Sequence, residues 1–420
     1  MPEPDQEAAH SDLEKLAASW QSARQAHMTT AETPHVLVVN CGSSSLKLAL
    51  VEPKSGASPW QAHAERLGEA TASLKLGAAS IPLEKPTHEC ALEVALRKLP
   101  ELPLRGVGHR VVHGGEAFSE SAVLDQSVID AIEACKDLAP LHNPANLTGI
   151  RAAMQRLPEL GQVAVFDTSF HHTMPAHAHL YAIPYGLYEQ HKVRRYGFHG
   201  TSHRFVAARA AELLAKPISE LNLLTAHLGN GVSAAAIEHG RSVDTTMGFT
   251  PLEGLVMGTR SGDVDPNLHQ FLVKHTGMSL DDVTELLNEQ SGLLGLSGES
   301  NDMRNLLQLA SQGHARAALA IEVFCYRLAK GLLGLCAGLP SLDALVFTGG
   351  IGENAARVRE LTVARLELIG AALDAQHNAA HGRSSNGRIH SSASRIAVLV
   401  IPTHEELEIA RETQRLLAPA

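Results

Sequence analysis

At 420 residues the chain exceeds what one hydrophobic core holds, so two or three domains are expected. With 44% hydrophobic and 19% charged residues it has the composition of an ordinary soluble globular protein. The net charge of −10 excludes a bulk nucleic-acid binder, and any small anion the protein handles must be met by positive charge gathered in a cleft.

Residues 1–33 read as an appendage. Within SDLEKLAASWQSARQAH, Ser11 and Glu14 match a capping box, and Leu13, Leu16 and Trp20 share one helical face that could dock on the body or a partner; a frayed tail is the favoured reading. Acids stand where a signal peptide needs bases, so export is not expected. The first strong strand begins at His35, and alternating strand and helix patterns follow, which argues for an α/β architecture. VLVVNCGSSSLKLAL, Val36 to Leu50, reads as strand, glycine–serine turn and strand. Its hydroxyls, turn N–H groups and Lys47 suit an anion, although a serine-rich hairpin with a solvated lysine has the same pattern. The spacing is not that of a Walker A loop.

Further along, GHRVVHGG (108–115) sets Arg110 among apolar neighbours, where a salt bridge on a strand is the usual explanation. VFDTSFHHTMP places Asp167 directly after a β-like run, where α/β folds display working carboxylates. The His171 to His179 cluster lacks the HExxH or CxxC spacing of a zinc site, and with 24 histidines such clusters arise by chance. YGFHGTSHR is read as a glycine-rich loop carrying His199, Ser202 and His203. Residues 223–246 repeat the strand–turn–strand pattern around HLGNG and add a third run after His239 and Gly240, so two similarly built domains are expected. MGTRSGDVDP puts Arg260 between glycines, with Asp263 and Asp265 behind it.

The apolar run 331–347 is broken by Pro340 and Asp343, so no membrane span is expected. After a strand at 344–347, a GG turn opens one helix with Val358, Leu361 and Leu368 on its apolar face and Gly370 at its end; such an N-terminus suits a nucleotide. Residues 380–394 read as a surface loop. Thr403 is the expected N-cap of the last helix, with Glu406 completing the box and Glu405 in the first turn. The five cysteines have no CxxC spacing and fit a reducing cytoplasm without disulfides or structural zinc. No GxSxG elbow is present. Phosphate-type turns, two unusual arginines and carboxylates at element ends are the parts of phosphoryl transfer.

The order NCGSSSLK, GHRVVHGG, APLHNPANL, FDTSFHHTMP, YGFHGTSHR, HLGNGVS, MGFTPLEGLVMGTRSGDVDP, SNDMR, GGIGEN and PTHEELEIAR resembles the motif series of the acetate kinase family, from about His35 to the end. The resemblance implies two duplicated actin/Hsp70-like (ribonuclease H-like) domains closing on a nucleotide cleft. Residues 34–169 plus 404–420 would form one domain, and 170–403 the other. It implies Asn40 and Glu405 as ligands of Mg²⁺ (or Mn²⁺), Asp167 as an essential aspartate near metal and acyl group, and Arg110 and Arg260 as holders of carboxylate and phosphoryl group. His199 would hydrogen-bond that phosphoryl group. Ser43, Ser45 and Lys47 would form the first phosphate hairpin and His227, Leu228, Gly229, Asn230 and Gly231 the second. Asp302, Met303, Arg304 and Gly350, Ile351, Gly352, Glu353, Asn354 would bind the adenosine end. Val112, Leu141, Phe198 and Pro251 resemble the pocket for an acetate methyl.

The implied reaction is reversible, in-line, Mg²⁺-dependent transfer from ATP to acetate, giving acetyl phosphate and ADP, in a cytoplasmic homodimer. A propionate or butyrate kinase is the alternative within the family. An actin- or Hsp70-like ATPase is the alternative outside it, disfavoured because a hydrolase has no anionic nucleophile for two arginines to neutralise. The pattern departs from the family in the extra N-terminal tail, in a short span between NCGSSSLK and GHRVVHGG, and in His404 beside the proposed metal ligand.

Overall fold

The computed structural model describes residues 34–139 and 142–418. The expected helix in 1–33 and the pocket residue Leu141 lie outside the described residues. Among the described residues thirteen strands form two sheets. In the first, β1 (His35–Cys41), β2 (Ser45–Val51), β3 (Trp60–Glu65), β4 (Ser73–Leu76), β5 (Ala79–Pro82), β6 (Leu104–Val111), β7 (Ala122–Val123) and β8 (Gln162–Phe166) lie in the order β5-β4-β3-β2-β1-β6-β8-β7. In the second, β9 (Asn222–Leu228), β10 (Val232–Glu238), β11 (Arg241–Thr245), β12 (Ala344–Thr348) and β13 (Ala397–Val400) lie in the order β11-β10-β9-β12-β13.

The duplication is visible in the topology. β3-β2-β1 is an antiparallel meander with β6 and β8 added in parallel, and β11-β10-β9 is another with β12 and β13 added in parallel. Parallel strands are buried on both faces and read as continuous apolar runs, as VAVF in β8 and ALVF in β12 do. Two helices, Gly200–Leu214 and Glu405–Leu416, lie between the sheets. One apolar cluster joins Val36, Val38 and Val165 of the first sheet to Leu223, Ile237 and Val346 of the second through Val206, Ala210, Leu407 and Ile409. Truncating Ile409 to alanine there would cost about 2–5 kcal/mol.

Three local expectations are corrected. The helix after the GG turn is two helices, Gly349–Asn354 and Ala356–Val363, followed by a short 3₁₀ turn in which Leu368 is 81% exposed. The break at Ala355 frees carbonyls that the buried Arg359 guanidinium takes up, donating to Gly352 O at 2.7 Å and Glu353 O at 3.1 Å. The last helix is capped by His404, whose Nδ1 accepts from Leu407 N at 3.2 Å, because the Thr403 hydroxyl is bonded instead to Ser202 Oγ at 2.8 Å. YGFHGTSHR is a helix start rather than a loop: Ser202 and His203 sit in the first turn of Gly200–Leu214. Gly370 does lie at positive φ after the 3₁₀ turn.

Candidate active site

β6 and β8 run parallel with Arg110 opposite Val165, and Asp167 N donates to Val111 O at 2.9 Å. Asp167 is thereby carried just past the carboxyl end of its strand. There Arg110 Nε donates to its Oδ1 at 3.0 Å and Nη2 to its Oδ2 at 2.6 Å. Glu405, the first residue of the last helix, lies 3.8 Å from the same Nε. Burial works against charge on the Arg110 guanidinium, but Asp167 and Glu405 outweigh it and push its pKa up, so the guanidinium stays charged; burial pushes the Asp167 carboxyl up, against the pull of Arg110.

Gly200 N donates to Asp167 O at 2.9 Å, which seats the helix start, and with it His199, against the aspartate. His199 has φ +58°, a left-handed residue before the first turn. Its pKa is pushed well down by burial, by His227 and by Arg110, so the ring is neutral. A Cβ placed on Gly231 would stand 3.2 Å from His199 Nε2 and 3.6 Å from Arg260 Nη1, so the second hairpin turn, the histidine and the second arginine meet at one point.

Arg260 is half-buried, and its Nη1 donates to Pro251 O at 3.4 Å. Among the described residues no carboxylate pairs with it; Asp263 and Asp265 accept from Gly254 N and Asn267 N and only close turns. His142 is held neutral at about 4 by burial and by the charges of Arg260 and Arg110. Val112 and Phe198 are buried in one core cluster, and Pro251 is half-buried beside Arg260.

The nucleotide candidates converge on the second hairpin. Asn301 Nδ2 donates to Asn230 Oδ1 at 3.2 Å, bringing the Asp302 segment to the turn. Gly349 packs on the Leu228 backbone at φ +74°, where a Cβ would stand 2.8 Å from Leu228 O, while Gly350 faces open space. The Glu353 carboxylate accepts from Gly349 N at 3.0 Å and Thr403 N at 3.2 Å, tying this helix to the segment before Glu405. Leu228, Met303 and Gly352 are buried, so only their backbones can serve a ligand, and Arg304 is paired with Asp302 at 2.6 Å. Ile351 is half-buried, and Asn354 Nδ2 donates back to Gly350 O at 3.0 Å.

The first hairpin stands apart. Gly42 N donates to Ser45 O at 2.8 Å to close it, Ser43 and Lys47 are exposed, and Lys47 pairs in register with Asn40. Among the described residues no ion pair or side-chain hydrogen bond joins Ser43, Ser45 or Lys47 to the arginines. His171 bonds Ser242 Oγ at 2.7 Å and Phe198 O at 3.0 Å, which uses both its nitrogens.

Several positioning residues carried no sequence expectation. Asn146 accepts from Val112 N at 3.0 Å and donates to Cys41 O at 2.6 Å, and Asn143 holds both backbone groups of His113. Buried asparagines within APLHNPANL were the available signal. Ser233, facing His227 across the hairpin, was legible only as a small residue after the turn.

The chain matches the model of the Acetokinase family over residues 35–411. It is 54% identical to the acetate kinase of Deinococcus radiodurans over 385 residues, covering 90% of this chain and 96% of that one. It is also 54% identical to the acetate kinase of Pseudomonas aeruginosa over 390 residues, covering 91% and 99%. Among solved structures, the Porphyromonas gingivalis acetate kinase aligns with TM-score 0.86 at 42% identity, covering 92% of this chain and 100% of that one. A propionate kinase from Francisella tularensis aligns with TM-score 0.86 at 45% identity, covering 91% and 99%. The two-sheet duplication, the clustered arginines and a match spanning nearly the whole described chain make this protein a member of the acetokinase family.

Proposed function

We propose that the protein is an acetate kinase, transferring the γ-phosphoryl group of ATP to acetate to give acetyl phosphate and ADP. The observation that carries this reading is Arg260: a half-buried guanidinium without a carboxylate partner among the described residues, meeting His199 at the Gly231 turn. Nucleophile and γ-phosphate are both anionic, so their approach needs fixed positive charge. A planar guanidinium meets a carboxylate or a metaphosphate-like group with paired hydrogen bonds.

Arg110, oriented by Asp167, would hold one anion through its remaining N–H groups, and Arg260 the other. His199, neutral, would donate a hydrogen bond to the transferring group. Val112, Phe198, Pro251 and Leu141 would enclose the acid's methyl group. Ser43, Ser45 and Lys47, with the turn His227–Gly231, would hold nucleotide phosphates, and Asp302–Arg304 with Gly350–Asn354 the adenosine end. Domain closure would exclude water from the activated phosphate.

The donor set suits Mg²⁺. Glu405 presents a carboxylate 3.8 Å from Arg110 Nε, and the Asn40 amide lies at the end of β1, hard oxygen donors of the kind Mg²⁺ takes alongside substrate phosphates. Glu405 and Asn40 would hold the ion, whose chemistry is neutralisation of charge between the phosphates. The domain division 34–169 plus 404–420 against 170–403 is supported by the packing of helix Glu405–Leu416 on β1, β6 and β8. A cytoplasmic homodimer is proposed by family analogy alone.

ADP release measured with acetate, propionate, butyrate and no acid tests the reading. Turnover highest with acetate is expected. A higher kcat/KM with propionate would move the assignment toward the Francisella relative, and ATP hydrolysis independent of any acid would overturn it.

A further inference from the structure

Behind His199 lies a file of buried polar groups that the reaction itself does not use. His199 Nδ1 stands 2.9 Å from Ser233 Oγ, Ser233 Oγ stands 2.8 Å from His203 Nε2, and His203 Nδ1 stands 2.7 Å from Thr225 Oγ1. Thr225, Ser233 and His203 are fully buried, so every proton in the file must find an acceptor inside it. The placement follows from ordinary periodicities. Thr225 and His227 share a face of β9, Ser233 pairs with His227 across the hairpin, and His203 lies one helical turn after His199.

We infer that Thr225, His203 and Ser233 form a one-way hydrogen-bond chain that fixes His199 as the tautomer with its proton on Nε2, making these three positioning residues for the transfer. The direction follows from counting donors. Among the described residues the Thr225 hydroxyl has one partner, His203 Nδ1. If that nitrogen carried a proton, it would donate to Thr225, and the Thr225 hydroxyl proton would be buried without an acceptor, at a cost of about 1–3 kcal/mol. Thr225 therefore donates to Nδ1, and the His203 proton sits on Nε2 and donates to Ser233. Among the described residues Ser233 Oγ has only these two partners, and His203 Nε2 already donates to it, so the Ser233 proton has His199 Nδ1 as its one acceptor. His199 is left with its proton on Nε2, the nitrogen beside Gly231 and Arg260. Burial keeps both rings neutral, so neither escapes the choice by taking a second proton. An anionic phosphoryl group at that point meets a donor; the other tautomer would present it with a lone pair.

The inference rests on the assignment of His199 to the transferring group, but its core can be read without substrate. Long-range ¹H–¹⁵N spectra of the whole protein labelled at histidine nitrogens should show His199 and His203 each protonated at Nε2 and bare at Nδ1. Thr225→Val removes the donor to His203 Nδ1 and should weaken the preference for that tautomer, and Thr225→Ser should restore the wild-type pattern. Ser233→Ala should lower kcat by about 10²-fold, the usual cost of one misdirected donor to developing charge. KM for ATP should stay within about twofold, which a general loss of structure would not spare. His199 protonated on Nδ1 in the unaltered protein overturns the chain whatever the variants do, as does wild-type kcat in Ser233→Ala. The expected spectrum in a protein that transfers no phosphoryl group to any acid would leave the chain standing and overturn the reading of function instead.

Discussion

Arg110 grips Asp167 with two hydrogen bonds, Nε to Oδ1 at 3.0 Å and Nη2 to Oδ2 at 2.6 Å, whereas Arg260 meets a backbone carbonyl, that of Pro251, at 3.4 Å. The two arginines of the site therefore stand in different energetic positions. One is oriented by a buried carboxylate; the other is a desolvated cation whose pKa burial pushes down.

Loss of each arginine should therefore separate activity from stability. Arg110→Ala and Arg260→Ala are each expected to lower kcat by about 10³-fold or more, and lysine should rescue neither. Only Arg110→Ala strands Asp167 as an unpaired buried charge, which should cost about 3–5 kcal/mol in urea unfolding. Near-normal turnover in either variant would remove that arginine from the site.

Arg359 should act on nucleotide binding from a distance. Its buried guanidinium donates to Gly352 O, Glu353 O, Asn378 Oδ1 and Asn378 O, with no carboxylate partner among the described residues, and burial brings its pKa down to about 10. Arg359→Met leaves those carbonyls unpaired at about 1–3 kcal/mol each. It should raise KM for ATP more than KM for acetate in steady-state assays; an equal rise in both would rule out a specific tie to the GGIGEN helix.

Stability should fall with acid in a defined window. His109, His113, His142, His171 and His227 are all held at about 4, by burial first, against an ordinary value of 6.5. A depressed folded value means that the unfolded chain binds more protons between these limits. The contribution is complete above about 6.5 and is lost as pH falls toward about 4. Urea midpoints measured from pH 7 to pH 4 should decline steeply below 6.5; a flat profile would contradict the burial of these rings.

Chain-length preference should respond to Val112. Trimming one buried wall of the proposed acyl pocket with Val112→Ala is expected to shift kcat/KM toward propionate over acetate by about tenfold, within the ~1–3 kcal/mol that one methylene commands. An unchanged ratio would place the acyl pocket elsewhere.

Metal dependence should report on Glu405. Chelation is expected to abolish turnover and added Mg²⁺ to restore it, with Glu405→Gln raising the Mg²⁺ concentration for half-maximal rate about tenfold or more. The same Mg²⁺ requirement in both proteins would exclude Glu405 as a ligand.

The hairpins were legible because they are local. An apolar run, a glycine turn and a second run specify β1–β2 and β9–β10 by periodicity alone, and Asp167 after β8 follows from the same reading. The helix break at Ala355 was not legible, because it is stabilised by Arg359, whose other partners, Asn378 and His381, lie across a turn of the chain. The His404 cap was missed for a similar reason: Thr403 has the better intrinsic capping side chain, but Ser202, two hundred positions away, claims its hydroxyl.

By itself the sequence determined the strand–turn–strand hairpins, the order of the motifs and the family they resemble, since strand and turn signals depend on neighbours within a few residues. Tertiary structure alone decided how the charges are shared. Arg110 and Asp167 are far apart in the chain and become partners only because β6 and β8 are adjacent and parallel. Arg260 remains without a carboxylate partner, among the described residues, because its own nearby acids, Asp263 and Asp265, are spent on backbone turns. Pairing energy and tautomer depend on distance, burial and the direction of a hydrogen bond, and no spacing along the chain encodes those.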